Sequence, residues 1–513
     1  MLGHIWTIPI LFFFFVLISF TNGGKILVGY AHDSKSHIRS MLPFLKRLAE
    51  NGHQVTVFQT TGENKTIDLE YKNISIIHMD LPTRAEQKEQ KKQMIDRLWT
   101  GTLHGGMIAL VYSMVATTIK EFMIHRSGEV AQPLNQDWDL VIFDGLFSLH
   151  AYGHAWLLKE QRNVPYVVFG TSWLLSSDTA RLALGQNWMS RCNLFTTVPD
   201  DSTDKYDPTS FQDRLINSME YAGENIAMKF TDPWVLAPAM QQMGVFGFSF
   251  DKLFQDAAFT IFDAPDRLGW PNSAVPDTRS DGSNCEPVGK LSKEYLDFLE
   301  DSNSKGTIYI AFGTFVDWEL SPKHIRETFL AAVNELTDYK IVFSYKGPKP
   351  GGLGKHIKIT SWAPQLEILA HHRTKVFLTH SGLKSLREAL CTKTPVVLMP
   401  MFAEQSHNAK LALSLGIGSI LNKFKITKET IVATLREVLE NDKYAKRVSK
   451  LYEIMLDRPI PALDDAAFYV TRQIKHKDRS LFFKRKGMYQ TLLEYHSLDI
   501  LICIIAFLYF ISK

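Results

Sequence analysis

The chain reads as an α/β protein built from two Rossmann-like halves, each around a parallel sheet. Three observations carry this reading. Short apolar runs recur at 25–30, 55–58, 140–143 and 165–169, and again at 307–312, 340–344, 376–378 and 396–399. Helix-spaced apolar residues separate several of them, as in Ile38, Met41, Leu42, Leu45, Leu48 and Ala49. Such alternation folds as βαβ units on a parallel sheet. A stretch rich in Pro, Gly, Ser and Asp, residues 265–289, parts the two sets and marks a linker.

Length and charge agree with this. At 513 residues there is room for two or three domains, and a net charge of +3 points to no nucleic acid or other polyanionic partner. The four cysteines, Cys192, Cys285, Cys391 and Cys503, show no CxxC spacing, so no zinc or redox motif is present. A Cys192–Cys285 disulfide is compatible with an oxidising compartment, but nothing in the spacing selects it. Both ends are apolar. Residues 8–20 precede the small residues Asn22, Gly23 and Gly24, the pattern of a signal peptide over 1–24. Residues 500–511 are apolar and end on Ser512 and Lys513, short of the ~20 residues a spanning helix needs. Two sequons, at Asn64 and Asn73, suit a lumenal body.

In chain order, the strand at 25–30 leads into a loop carrying His32, Asp33, Ser34, Lys35, Ser36 and His37, and then into a helix stopped at Asn51-Gly52. Residues 81–125 read as mostly helical. The apolar part, 107–119, is too short to span a bilayer and suits a core helix, a pocket wall or a membrane-surface segment. The strand at 140–143 is fully apolar, hence buried, and ends in Asp144. A carboxylate there can orient an imidazole on a neighbouring loop. Asp137-Trp138-Asp139 precedes the strand and reads as a solvated loop, so no metal is expected. Residues 171–250 are mixed and aromatic-rich.

The second half opens with the strand at 307–312, ending in Gly313-Thr314. Ser321-Pro322 reads as a helix start, with Ile325, Phe329, Val333 and Leu336 on one face. The glycines at 347–354 precede no helix, which removes the dinucleotide fingerprint and disfavours a nicotinamide oxidoreductase. The strand at 376–378 is followed by Thr379, His380, Ser381 and Gly382 and then a helix. A helix start with a small residue lets a phosphate approach backbone N–H groups. Glu388, two turns on, can accept hydrogen bonds from a sugar diol. Glu404 and Gln405 follow the next strand at the same sheet edge, where open parallel sheets bind ligands. Trp362 offers a flat ring for a base. The pattern is that of a nucleotide or nucleotide-sugar site.

The ordered run Trp362, Pro364-Gln365, Thr379-His380-Ser381-Gly382, Glu388, Pro400, Phe402, Glu404-Gln405 and Asn408 resembles the UDP-glycosyltransferase family, which contains the UDP-glucuronosyltransferases. The resemblance implies a GT-B fold: two facing Rossmann-like domains, with an N-terminal signal sequence and a C-terminal transmembrane helix. The domains are then 25–264 for the acceptor, 265–289 as linker and 290–455 for the UDP-sugar. A crossing helix and basic segment follow at 456–490, and an anchor at 498–512. It implies that Trp362 stacks on uracil, His380 contacts the diphosphate, Glu388 holds the ribose, and Glu404 and Gln405 read the sugar. Gly313, Thr314, Ala363, Gln365, Ser381, Gly382, Lys384 and Ser385 complete the donor site, with Arg267 reaching its charged groups. Three residues depart from the common animal pattern: Ser381 for Gly, Lys384 for Asn and Glu404 for Asp. Ser381 is small enough to be harmless. Lys384 adds charge near the phosphates or points to solvent, and Glu404 lengthens the arm that reads the sugar.

In the family a Ser-His pair in the first loop holds the general base, matched by Ser36-His37, and an Asp paired with it is matched by Asp144. His32 is the rival base. The expected reaction moves a hexose or glucuronic acid from UDP-glucose or UDP-glucuronate to a hydroxyl of a small lipophilic acceptor. It inverts the anomeric carbon, with no metal and no cofactor beyond the co-substrate. The alternative is a weakly catalytic member that binds UDP or a hydrophobic ligand. The expected location is a single-pass type I membrane protein of the endoplasmic reticulum with a lumenal body, although the dibasic tail of many relatives is absent. A homo-oligomer is compatible with the sequence.

Overall fold

The computed structural model describes residues 23–62, 69, 71–185, 189–270, 275–476 and 484–513. The apolar run at 8–20, the sequon at Asn64 and most of the basic run at 475–486 lie outside these residues.

The first domain holds seven strands: β1 (Lys25–Gly29), β2 (Gln54–Thr61), β3 (Ile74–Asp80), β4 (Leu140–Asp144), β5 (Tyr166–Gly170), β6 (Thr260–Phe262) and β7 (Thr278–Ser280). They form one parallel sheet in the order 3-2-1-4-5-6-7. The second domain holds β8 (Thr307–Ala311), β9 (Lys340–Ser344), β10 (Ile357–Thr360), β11 (Thr374–Thr379), β12 (Val396–Leu398) and β13 (Gly418–Ile420). These are also parallel, in the order 10-9-8-11-12-13. Each order reverses once, between β1 and β4 and between β8 and β11. Loops leaving the carboxyl ends of strands at such a reversal diverge and leave a crevice. His37 and Asp144 follow or end β1 and β4 there, and Gly313-Thr314 and His380 follow β8 and β11.

The helices used below are α1 (Lys35–Glu50), α2 (Ala85–Thr100), α3 (Ile108–Ala131), α4 (Leu149–Arg162), α5 (Phe211–Thr231), α6 (Lys323–Glu335), α7 (Gln365–Ala370), α8 (Leu383–Cys391), α9 (Gln405–Leu415), α10 (Lys428–Leu439), α11 (Asp442–Leu456), α12 (Ala462–Lys475) and α13 (Leu498–Ile511). The apolar spacing read for α1 faces inward: Ile38, Met41, Leu45 and Leu48 are fully buried against β1 and β2. Thr427 caps α10 through the Thr430 N–H. The start of α6 differs by one residue. Ser321 turns its hydroxyl back to the Trp318 carbonyl, and Pro322 takes the cap position.

Three open readings are sharpened. The stretch at 265–289 is not only a linker: its residues 278–280 form β7, the edge strand of the first sheet. Loop-like composition hid a three-residue strand. The disulfide joins Cys285 to Cys391, while Cys192 is buried and free, so the Cys192–Cys285 pairing does not occur. This bond ties the end of the linker to the end of α8. Of the readings left open for residues 107–119, one face packs in the core: Ile108, Tyr112, Ala116 and Ile119 of α3 are buried with the main apolar cluster, while Met107, Leu110 and Met114 are exposed.

The domains interlock. Trp99 of α2 inserts into the apolar core of the second domain beside Trp318 and donates to the Asp317 carbonyl at 3.2 Å. At the other end, α12 crosses back. Its Ala466, Ala467, Val470 and Ile474 join the core over the first sheet, as the family resemblance implies.

Candidate active site

His37 sits in the first turn of α1, at the carboxyl edge of β1. Its Nδ1 bonds Asp144, the last residue of the neighbouring strand β4, with a short contact between Nδ1 and Oδ2. Asp144 is 0 % exposed and is held from two further sides. The Leu146 N–H donates to its Oδ1 at 3.0 Å, and the Thr171 hydroxyl donates to the same oxygen at 3.0 Å. Thr171 also lies 3.1 Å from His37 Nδ1. This clamp fixes the ring with Nδ1 carrying the proton, which leaves Nε2 as the basic nitrogen. Burial pulls the His37 pKa down, but the Asp144 carboxylate and the nearby Glu404 carboxylate outweigh it, so the value lies above the ordinary 6.5. The rival, His32, packs edge-on against Phe122 at 5.2 Å between ring centroids.

Glu404 comes from the other domain, which places the two halves face to face across the cleft. It stands at the start of α9 and is raised above the usual carboxylate range by burial. Gln405 is buried. Its carbonyl oxygen accepts from the Met401 and Phe402 N–H groups at 2.8 and 3.1 Å, so it orders the loop that presents Glu404.

A seat in the same domain is built by the ends of β8 and β11. The His380 ring lies between Gly313 and Gly382. A Cβ at Gly313 would come within 2.8 Å of His380 Nε2, and one at Gly382 within 2.6 Å. Gly313 also holds φ at +70°, a conformation that glycine adopts without strain. Burial lowers the His380 pKa to about 4, so the ring is neutral near pH 7. Positive character at the seat comes instead from the start of α8, where Gly382 is the cap residue and no side chain caps the free N–H groups. Thr314 is exposed beside this seat, its carbonyl bonded by Lys346 Nζ.

On the nucleoside side, Glu388 of α8 accepts from Gln365 Nε2, and Gln365 Oε1 in turn accepts from the Tyr309 hydroxyl at 3.3 Å. Ser385 and Ala363 are buried around this pair. Trp362 is 57 % exposed, with the Arg39 guanidinium 4.6 Å from its ring centre. Arg267 donates to the Asp457 carbonyl and ties the linker to the chain end of α11.

Ser381 behaves differently from its sequence reading, and Lys384 from the solvent-facing one of its two. Ser381 is not harmless. It holds φ at +70°, is fully buried, and its hydroxyl has no hydrogen-bond partner. Lys384 neither meets open solvent nor stands alone: its Nζ donates to the Arg39 carbonyl at 3.1 Å, with Glu286 at 3.8 Å. It therefore spans the cleft to α1, two residues from His37. Four further contributors escaped the sequence reading: Thr171, Arg39, the Trp173–Asn408 hydrogen bond at 2.7 Å and the buried Arg387–Asp263 ion pair, the last two crossing between domains. Thr171 had a signal, because it follows the strand next to that of Asp144. The others depend on how the domains meet.

Residues 24–513 match the profile of the family described as UDP-glucoronosyl and UDP-glucosyl transferase. The chain belongs to that family. It is 26 % identical to UDP-glucuronosyltransferase 1A7 of Mus musculus over 493 residues, covering 94 % of this chain and 88 % of the relative. It is 31 % identical to a UDP-glucuronosyltransferase of Pleuronectes platessa over 237 residues, 45 % of this chain and 49 % of that one. Among solved structures it resembles CalG4, the calicheamicin glycosyltransferase, with a TM-score of 0.58 at 16 % identity, covering 90 % of this chain and all of that one. Os79 from O. sativa gives a TM-score of 0.58 at 15 % identity, covering 88 % and 100 %. The fold is GT-B, and this member of the UDP-glycosyltransferase family is a glycosyltransferase that takes a UDP-sugar donor.

Proposed function

We propose that the chain transfers a hexose or glucuronic acid from a UDP-sugar to a hydroxyl of a small lipophilic acceptor, with inversion at the anomeric carbon. The observation that carries this is the His37–Asp144–Thr171 clamp of one domain facing Glu404 and the His380 seat of the other. His37 Nε2 takes the acceptor proton, and Asp144 holds the imidazolium that forms. The acceptor oxygen forms a bond to the anomeric carbon as the bond to the diphosphate oxygen breaks, and UDP leaves. The start of α8, Thr314 and His380 meet the charge that develops on the departing diphosphate. In this reading protein groups supply that stabilisation, and no metal or resident cofactor takes part. Trp362 stacks on uracil, Glu388 holds the ribose, and Glu404 meets a hydroxyl of the transferred sugar.

In the same reading α13 is the membrane anchor of a lumenal, single-pass type I protein of the endoplasmic reticulum. Its support is that large apolar side chains are exposed all round this helix, Ile500, Leu501, Ile502, Ile504 and Ile505 among them. The test is turnover with UDP-glucose and UDP-glucuronate against a panel of phenols and sterols. Transfer with at least one pair supports the reading. UDP binding without transfer on any pair makes the chain a binder instead.

A further inference from the structure

Among the described residues, Glu300, His371 and His372 bring three metal-ligating atoms within 4.8 Å of one another. Glu300 ends the helix Lys293–Leu299. His371 ends α7, and His372 follows it just before β11. One carboxylate oxygen of Glu300 lies 3.1 Å from His371 Nε2, and the other lies 3.7 Å from His372 Nε2. The two imidazoles stand side by side, with 4.7 Å between ring centroids and 33° between planes. Both Nε2 atoms thus meet the same carboxyl group. Ligand atoms about 2.0–2.1 Å from a tetrahedral ion stand about 3.4 Å apart, between the two distances found here. The backbone holds the two segments together. The Thr307 N–H donates to the Arg373 carbonyl at 2.7 Å, and Arg373 Nη2 donates to the Asp301 carbonyl at 2.8 Å and to the Ser304 carbonyl. The His371 side chain is packed, only 10 % exposed, whereas Glu300 and His372 are open to solvent and leave an ion a way in. Ligands held in place before binding lower its cost.

We propose that Glu300, His371 and His372 bind one zinc ion, with water completing its coordination. Imidazole nitrogen favours zinc and its transition-metal neighbours over magnesium and calcium, which take oxygen ligands. Zinc needs the lone pair of His371 Nε2, so the ring proton moves to Nδ1 in the loaded site. What is given up there is a 3.4 Å contact from the Arg373 N–H, long for a hydrogen bond. The ion stands apart from the reaction. The six residues of β11 run from these histidines to His380 at the other end, which puts roughly 20 Å of strand between the ion and the diphosphate seat. Its role is structural. It clamps the end of the helix Lys293–Leu299 to the end of α7, whose first residue, Gln365, donates to Glu388. The zinc site stands whether or not the reaction proposed above is the one catalysed.

The test is calorimetric titration of the untagged, metal-stripped full chain with zinc chloride near neutral pH, with thermal unfolding read in parallel. The natural chain is expected to take up one zinc ion at this site and to melt at a higher temperature with it. Loss of a group one shell outside a metal already costs about 10–100-fold in affinity. His372→Ala and Glu300→Gln, both at exposed side chains, are therefore each expected to weaken zinc binding at least about tenfold and to remove the rise in melting temperature. Magnesium chloride in place of zinc is expected to give no heat of binding and no shift. A natural chain that takes up no zinc overturns the proposal. So does zinc binding that both variants keep, or a shift with magnesium equal to that with zinc.

Discussion

Replacing Asp144 by Asn probes the clamp without changing its shape. The carboxylate is fully buried and takes three contacts, from His37 Nδ1, the Leu146 N–H and the Thr171 hydroxyl. An amide can satisfy the last two with its oxygen. Its NH2 group then faces Nδ1 and turns that nitrogen into an acceptor. The proton moves to Nε2, the atom that must be basic. A wrong tautomer in a comparable triad costs about 10⁴ in rate, or about 5 kcal/mol. Loss of the carboxylate also removes the largest influence raising the His37 pKa, leaving burial to lower it. The acid limb of kcat/KM is therefore expected above pH 6.5 in the natural enzyme and shifted to lower pH in Asp144→Asn, with kcat down by roughly 10³–10⁴. Stability shifts too. A raised folded pKa stabilises the fold fully below the unfolded value of about 6.5, and that stabilisation is lost as pH rises through the folded value. Asp144→Asn should then cost more stability at pH 6 than at pH 9. A loss of less than tenfold in kcat, with an unmoved acid limb, would refute the assignment.

Four further outcomes follow from the site. Trp362→Ala removes the exposed ring offered to uracil and should weaken UDP binding, read by calorimetry, by about 5–150-fold, the range of one base–aromatic stack. Gly313→Ala forces a left-handed residue against His380 and should weaken UDP binding as well, with His37 unaffected in its titration. Ser381→Gly relieves a left-handed, buried and unpartnered serine and should raise stability by about 1 kcal/mol, after the entropy glycine adds to the unfolded chain, in a denaturant titration. Cys391→Ser opens a disulfide that spans 106 positions of sequence and should cost about 2–4 kcal/mol, with the same loss on reduction of the natural chain.

Much of this architecture was legible in the sequence because strand cores and strand ends obey local rules. The runs at 140–143 and 376–378 are apolar since both sheet faces are covered, and a polar residue directly after them, Asp144 or His380, stands at the ligand edge. What failed lay where no local rule applies. The edge strand Thr278–Ser280 has three residues and no apolar core of its own. The Cys285–Cys391 bond is set by the packing of the linker on α8, which spacing does not encode. Ser381 looked innocuous because composition says nothing of φ. Lys384 and Arg39 have roles only once two domains meet, and a single sequence carries no signal of that approach. The apolar outer face of α5 has ordinary helical spacing, and only the fold shows that it points outward.

The central claim is a division of labour: an imidazole in one domain removes the proton, and the other domain holds UDP. UDP affinity and turnover measured side by side on His37→Ala and His32→Ala test it most directly. The account predicts that His37→Ala binds UDP within about twofold of the natural chain while turnover falls by roughly 10³ or more, and that His32→Ala keeps most of its turnover. Loss of turnover in His32→Ala with His37→Ala still active, or a matching loss of UDP affinity in His37→Ala, would contradict it.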